Sequence, residues 1–181
     1  MSKAVQFDSY GGIDVLQVRD VPRPVPGNGE VLVQVKAAGI NPSEGVIRSG
    51  ALHHLFPATF PSGQGSDLAG IVAGLGAGVS GYAIGDKVMG FSMRRSSHAE
   101  YVTVPANQLT PRPSKVPWEV AGSLFVAGVT AYAAVRSVHL YRGIRWWSQV
   151  RQEVSARLRF SSPDAPAPLS SGSPGRPTML G

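Results

Sequence analysis

The sequence predicts a mainly β domain with short helices, followed by a helical extension and a disordered C-terminal tail. Two counts support the β domain: 22 glycines and 15 prolines among 181 residues indicate many turns and therefore many short strands. The hydrophobic fraction of 43% is enough for one core in a chain of this length. Several short strand patterns at turn-rich spacing are typical of a compact, barrel-like domain.

The first elements are strands. Lys3–Phe7 and Val15–Val18 are short strand candidates, separated by a Tyr-Gly-Gly turn. Residues 21–26 hold three prolines and should run extended along the surface, because proline lacks the backbone donor. Glu30–Ala38 alternates with a period of two, which places Val31 and its odd-numbered neighbours on one face of a strand.

A short helix should follow at Asn41. Asparagine favours the N-cap position, Pro42 suits the first helical position and Glu44 suits the first turn. The helix is predicted to run to about Arg48 and to stop at Gly50.

Three more strand patterns precede a change of amino-acid composition near Pro117. The strands are predicted at Asp67–Leu75, where glycines allow close backbone approach, after the turn in Gly81–Met89, and at His98–Val104. Beyond Pro117 the chain becomes rich in alanine and valine and compatible with helix. These helical segments are predicted at Trp118–Phe125 and Val129–Val138, with a break at Gly128.

Charge and composition exclude several classes of function. The net charge is +6, but residues 1–140 carry only +2 and residues 141–181 carry +4, so no basic nucleic-acid surface is predicted. No apolar run is long enough to span a membrane, and the N-terminus lacks the apolar core of a signal peptide. The chain has no cysteine, which excludes disulfides and thiolate metal sites. We therefore expect a cytoplasmic protein.

Five stretches carry a family resemblance, in order and in register. The chain resembles the zinc-independent quinone oxidoreductase (zeta-crystallin-like) branch of the medium-chain dehydrogenase/reductase superfamily. The resemblance covers about residues 3–140 and rests on YGGIDVLQVRDVPRPVPGNGEVLVQVKAAGINPSEGVIRSG, GSDLAGIVAGLGAGV, GDKVMGF, HAEYVTVPANQL and AGSLFVAGVTAYAAV.

The resemblance implies a fold, a reaction and a domain plan. The fold is a GroES-like, partly open β-barrel like the N-terminal domain of alcohol dehydrogenases, predicted at residues 1–125. Residues 126–140 would form the first helix leading into a Rossmann domain that holds NADPH. The implied reaction is direct hydride transfer, without zinc, to a small apolar quinone or carbonyl substrate. Full-length members are often homodimers.

No metal site is expected. Zinc-dependent relatives place a cysteine at Asn41 and a Gly-His-Glu at Gly65-Ser66-Asp67, and neither asparagine nor serine is a good zinc ligand. His53 and His54 are adjacent and are predicted to point apart. Asp67 and Asp86 are predicted to be structural, accepting hydrogen bonds from turn amides.

The resemblance also selects candidate site residues. Asn41 and Thr130 match positions that line the nicotinamide pocket, and Val46, Phe56 and Phe91 are candidates for the substrate pocket. Simpler roles compete: Asn41 as a helix cap, Thr130 bonding back to its own helix, and the two phenylalanines as core. Many relatives carry a tyrosine where this chain has Val46. The catalytic residues stay unassigned.

Residues 141–181 do not continue the family pattern. They contain no G-x-G-x-x-G loop, they hold six of the chain's arginines, and 13 of residues 161–181 are proline, glycine or serine, a composition typical of disorder. Reading the codons of residues 141–160 one nucleotide earlier, with permissible third bases, gives from Ile144 onward a strand, an AAGGVG loop and a helix. We therefore expect a frameshift near Leu140–Tyr141.

The gene sequence tests this hypothesis, because the shifted frame must encode glycine at Val150, Glu153, Val154 and Ala156. With the dinucleotide-binding half missing, we expect weak or no activity from this chain alone. The alternative, from another class of function, is a non-catalytic GroES-like protein-interaction module.

Overall fold

The computed structural model describes residues 1–137. Within these residues the chain forms eight strands and three α-helices. The strands are Ser2–Phe7 (β1), Gln17–Val21 (β2), Glu30–Ala37 (β3), Ser62–Gly63 (β4), Asp67–Leu75 (β5), Lys87–Phe91 (β6), Tyr101–Pro105 (β7) and Leu109–Pro111 (β8). The helices are Pro42–Arg48 (α1), Trp118–Ala121 (α2) and Phe125–Ser137 (α3), and single 3-10 turns lie at Ile13–Val15 and Ala106–Gln108.

The strands form two antiparallel sheets. One has three strands in the order β2-β1-β4, and the other has five in the order β7-β3-β5-β6-β8. An isolated bridge pairs Ala4 of β1 with Ala99, two residues before β7. The sheets do not close into a barrel, so the prediction of a mainly β, partly open GroES-like fold with short helices is confirmed.

The core lies on one face of the five-stranded sheet, where β3 and β5 pair. The predicted alternation of β3 holds only in part: Val31 and Val33 are fully buried and Lys36 is exposed, but Leu32, predicted on the face of Lys36, is also buried, at 5% exposure. Register places Val33 opposite Val72 of β5. The buried residues of this cluster are Val31, Val33, Leu68, Val72, Val88, Val102, Val104 and Leu109, and a smaller second cluster consists of Ala69, Met89 and Ala121.

Strand β5 has the predicted bounds, and one of its glycines is required by packing. A Cβ at Gly70 would lie 2.3 Å from the carbonyl oxygen of Gln34 on β3. Only glycine allows the two backbones to approach this closely, so the predicted reason for glycine in this strand is confirmed at Gly70.

The helical region differs from the prediction. Gly128 lies inside α3, and the break between the helices comes at residues 122–124 instead. The cause is tertiary: Gly39 donates its N–H to the Gly122 carbonyl at 2.7 Å, and a Cβ at Gly122 would lie 2.5 Å from the Ala37 carbonyl oxygen. The end of α2 therefore packs on the end of β3 where a side chain has no room, while a glycine inside a helix costs only about 1 kcal/mol.

Two strand predictions were displaced along the chain. The segment predicted at Val15–Val18 begins with a 3-10 turn, and its strand runs over Gln17–Val21. The strand predicted from His98 begins at Tyr101. In both cases the residues just before the strand bond elsewhere: Leu16 N–H donates to Ile13, and the His98 carbonyl accepts from Val5 N–H on β1.

The predicted tail at residues 141–181, with its proposed disorder and frameshift, lies outside the described residues, as does the end of the predicted 126–140 helix. Among residues 1–137, no helix combines the length and apolar character that crossing a membrane requires.

Candidate functional site

The candidate site is a buried polar cluster, Asn41, Glu44 and Asp67, where three elements begin. Asn41 immediately precedes α1, Glu44 lies in its first turn, and Asp67 is the first residue of β5. Two hydrogen bonds from backbone N–H groups to side-chain carboxylates join the elements. The Ser66 N–H donates to Glu44 Oε1 at 3.1 Å, and the Val126 N–H of α3 donates to Asp67 Oδ1 at 3.0 Å.

Asn41 occupies the predicted N-cap position, but its side chain does not cap the helix. Its backbone is extended, with φ −104° and ψ 140°, and its side chain makes no capping hydrogen bond. Instead Nδ2 donates to Glu44 Oε1 at 3.4 Å. The reading of Asn41 as only a helix cap is therefore wrong, and the residue is partly exposed.

Glu44 is the residue that sequence reasoning missed. It is 4% exposed, and Oε2 has no hydrogen-bond partner within residues 1–137. His98 Nε2 lies 3.9 Å from Oε2, but it lies 2.9 Å from the Gly39 carbonyl oxygen, which only accepts, so Nε2 carries a proton. A glutamate in a first helical turn is ordinarily exposed, and the sequence carries no signal of this burial.

Asp67 is fully buried, and its Oδ2 also lacks a hydrogen-bond partner among the described residues. Burial raises the pKa of Asp67; the Val126 N–H and the Asn41 amide oppose that shift, and the nearby Glu44 carboxylate adds to it. The predicted partner of Asp67 was a turn amide, and the observed one is the start of a helix. The same prediction is confirmed for Asp86, whose Oδ2 accepts the Ala83 N–H at 2.8 Å.

The predicted substrate-pocket residues lie at different depths. Phe91 is opposite Asp67 in the β5–β6 register, is partly buried, and stacks on Phe125 with ring centroids 5.1 Å apart. Val46 on α1 is 43% exposed, and Phe56, in the segment after α1, is 46% exposed. Phe91 is thus next to the cluster. Phe56 makes no aromatic ring contact among residues 1–137.

Thr130 lies on α3, about one turn after Val126, and is exposed. Its hydroxyl makes no hydrogen bond within residues 1–137, so the alternative in which it bonds back to its own helix does not hold. The same helix exposes Val129 and Tyr132. Asp67 therefore connects the elements that carry both predicted cofactor contacts, Asn41 before α1 and Thr130 on α3.

The histidine pair does not behave as predicted. The rings of His53 and His54 lie with centroids 3.6 Å apart, tilted by 45°, so they do not point apart. The turn after α1 brings them together, with His53 Nδ1 3.0 Å from the Gly50 carbonyl oxygen. In the described part of the chain, no three residues of the His, Cys, Asp or Glu types are placed to hold a metal ion.

One glycine-rich segment imitates a dinucleotide loop. Residues 76–81 read Gly-Ala-Gly-Val-Ser-Gly, which matches the G-x-G-x-x-G spacing. A dinucleotide loop connects a parallel strand to a helix N-terminus, whereas this segment connects the antiparallel strands β5 and β6, and no helix follows it before β6. It is a turn in the sheet and offers no helix N-terminus for a pyrophosphate.

Comparison with known proteins agrees with this geometry. The family of alcohol dehydrogenase GroES-like domains matches residues 27–114. A chloroplastic quinone-oxidoreductase homolog from Spinacia oleracea is 35% identical over 135 residues, which are 73% of this chain and 41% of that protein. A quinone oxidoreductase from Pseudomonas aeruginosa is 33% identical over 144 residues, 79% of this chain and 43% of that protein.

Solved structures show the same likeness. The quinone oxidoreductase from Coxiella burnetii has a TM-score of 0.72 and 34% identity, covering 78% of this chain and 46% of that one. The Escherichia coli quinone oxidoreductase complexed with NADPH has a TM-score of 0.70 and 31% identity, covering 75% and 41%. The chain thus spans less than half the length of these relatives. The chain therefore carries an alcohol dehydrogenase GroES-like domain, and the relatives that it resembles are quinone oxidoreductases of the medium-chain dehydrogenase/reductase superfamily, matched over their N-terminal part.

Proposed function

We propose that this chain supplies the substrate-side domain of an NADPH-dependent reductase that transfers hydride to a quinone or a similar small apolar carbonyl compound, without zinc. The observation that carries the proposal is that Asn41, a partly exposed residue, donates its amide to the buried Glu44 carboxylate at 3.4 Å and opposes the rise in the pKa of the buried Asp67. The Escherichia coli relative complexed with NADPH supports the choice of cofactor.

The residues of this domain fit the nicotinamide end of the cofactor. NADPH supplies the hydride chemistry when bound, so the protein needs to orient the two reactants and exclude water rather than provide strong acids or bases. Asn41 offers an amide to the carboxamide group. Phe91, stacked on Phe125, and Val46 offer apolar surface for a flat acceptor.

The rest of the cofactor has no counterpart in residues 1–137. Its pyrophosphate ordinarily binds at a glycine-rich loop that opens a helix, and the only segment with that spacing here is the turn at residues 76–81. We therefore expect the described domain to bind NADPH weakly, through its nicotinamide end.

Titration of the purified full chain with NADPH, followed by nucleotide fluorescence, tests the proposal, together with oxidation of NADPH in the presence of a quinone. Weak binding that Asn41→Ala reduces further supports it, because the amide contact is removed. The control Val18→Ala changes a residue of the edge strand β2 that is 70% exposed and should bind like the parent chain. Equal binding by Asn41→Ala, or no binding at all, would contradict the assignment.

The alternative, a non-catalytic module acting by protein contact, has one supporting observation. Helix α3 exposes large apolar side chains, with Val129 50% and Tyr132 61% exposed, and exposed apolar surface of this kind often marks an interaction site. This alternative predicts no NADPH binding, together with a change in sedimentation on substitution of Val129 and Tyr132 by serine.

A further inference from the structure

We infer that Glu44 and Asp67 act as positioning residues that fix the Asn41 amide, so that Asn41 presents its oxygen, Oδ1, to the ligand and the site selects a ligand group that donates a hydrogen bond. The inference rests on the proposed function, because it names which chemical feature of the nicotinamide is recognised.

The first step is the chemistry of the three side chains. An asparagine amide carries two donors on Nδ2 and an acceptor on Oδ1, whereas an ionised carboxylate only accepts. Asn41 Nδ2 lies 3.4 Å from Glu44 Oε1, and the Asn41 amide lowers the pKa of the buried Asp67 carboxyl. A flipped amide would turn Oδ1 toward the carboxylates, where two acceptors repel each other, so this orientation is preferred.

The second step is that the two carboxylates are themselves held. Glu44 Oε1 accepts the Ser66 N–H at 3.1 Å, and Asp67 Oδ1 accepts the Val126 N–H at 3.0 Å. Both side chains are at least 96% buried, so they have little freedom to follow a rotating amide. Backbone groups of two different elements thus fix the partners of Asn41, as the outer contacts of a preorganised site do.

The third step concerns Asn41 Oδ1, the atom of the amide that can still accept a hydrogen bond from a ligand. No donor within residues 1–137 reaches Asn41 Oδ1, and Asn41 is partly exposed. With its donors directed to the carboxylates, the amide offers an incoming group mainly an acceptor. A carboxamide N–H of nicotinamide satisfies it, whereas an acetyl group at the same ring position has no N–H to donate.

The experiment compares the full chain's affinity for NADPH and for the reduced 3-acetylpyridine analogue of NADPH, which lacks that N–H. We expect the parent chain to prefer the carboxamide about three- to tenfold, the usual value of one hydrogen bond. Asn41→Ala should lose the preference. Glu44→Gln should lower it, because a glutamine can itself donate and lets the Asn41 amide turn. Asp67→Asn provides a second variant of the same kind, and the exposed neighbour Ser43→Ala is the matched control.

A second readout needs no cofactor. The side-chain NH2 signals of Asn41, assigned by their loss in Asn41→Ala, should exchange slowly with solvent in the parent chain and faster in Glu44→Gln. If neither nucleotide binds, the proposed function fails, and this exchange measurement alone decides the orientation. Equal affinities for the two nucleotides, or equally fast amide exchange in the parent chain and Glu44→Gln, would overturn the inference.

Discussion

Strand β5 passes through two different environments within six residues. Leu68 and Val72 lie in the apolar core, whereas Asp67 at the start of the strand is buried beside Glu44 and Asn41. The interior part contributes stability through burial of apolar area. The polar cluster does the opposite, because burying polar oxygens without partners costs about 1–3 kcal/mol each, and Glu44 Oε2 of α1 and Asp67 Oδ2 of β5 are two such oxygens.

This difference identifies the start of β5 as a part of the fold that selection for stability alone would not produce. Sequences generally satisfy local rules everywhere except at functional or strained sites. Here the departure lies where α1, β5 and α3 begin, which is also where the family resemblance places the nicotinamide contact of Asn41. The contrast between the two parts of β5 can be measured.

The largest expected effect is in the apolar part. Leu68→Ala removes a fully buried side chain, and we expect it to lower the free energy of unfolding by about 3 kcal/mol, since the lost burial and the cavity both contribute. Urea unfolding followed by circular dichroism measures it. Leu55→Ala, at a residue that is 72% exposed, is the matched control and should stay within about 0.5 kcal/mol of the parent. Equal losses for the two variants would remove the distinction between core and surface.

The next effect is a pH dependence in the polar part. Because burial raises the pKa of Asp67 in the folded protein, the folded state keeps a proton that the unfolded chain has already released. The stability from this proton is full below the unfolded pKa, about 3.9, and is lost as pH rises through the folded pKa. Asp67→Asn lacks this titration.

The measurement for Asp67 is therefore a difference. The stability of the parent chain minus that of Asp67→Asn should fall with rising pH, beginning near pH 4, by at most about 1.4 kcal/mol per pH unit, and should then level off. Urea unfolding of both chains over a pH series gives this curve. A difference that rises with pH would mean that the hydrogen bonds from Val126 and Asn41 outweigh burial.

Local patterns in the sequence predict the regular elements of this fold, but they do not predict the contacts between residues that are distant in the chain. The position of β3, the bounds of β5 and the start of α1 at Pro42 follow from local periodicity and backbone chemistry, and each was predicted. The break at Gly122 was not, because it depends on the approach of Ala37, 85 residues earlier in the chain. Sequence order cannot show which of two glycines meets a distant backbone.

The candidate site divides in the same way. Asn41 was found because the family resemblance selects its position, and its capping role was wrong because the cap preference of asparagine says nothing about a buried glutamate three residues later. Glu44 looked like an ordinary charged residue of a first helical turn. Only the structure shows that it faces the interior, where the Ser66 N–H is its donor.

The smallest effect is expected at the surface, and it tests whether burial makes a carboxylate matter. Lys3 Nζ and Asp20 Oδ1 lie 3.2 Å apart, with the two side chains 60% and 62% exposed. Exposed pairs of this kind contribute about 0–1 kcal/mol, so Asp20→Asn should change the unfolding free energy by only a few tenths of a kcal/mol.

Glu30 provides the matched comparison within the same domain. Its carboxylate pairs with Arg94 at 2.8 Å, accepts the Gly27 N–H at 3.0 Å and is only 14% exposed. Glu30→Gln should therefore cost more than Asp20→Asn in urea unfolding, by about 1 kcal/mol. Added salt screens exposed pairs more than shielded ones, so a loss for Asp20→Asn that matches that for Glu30→Gln at high salt would show that exposure does not determine what these carboxylates contribute.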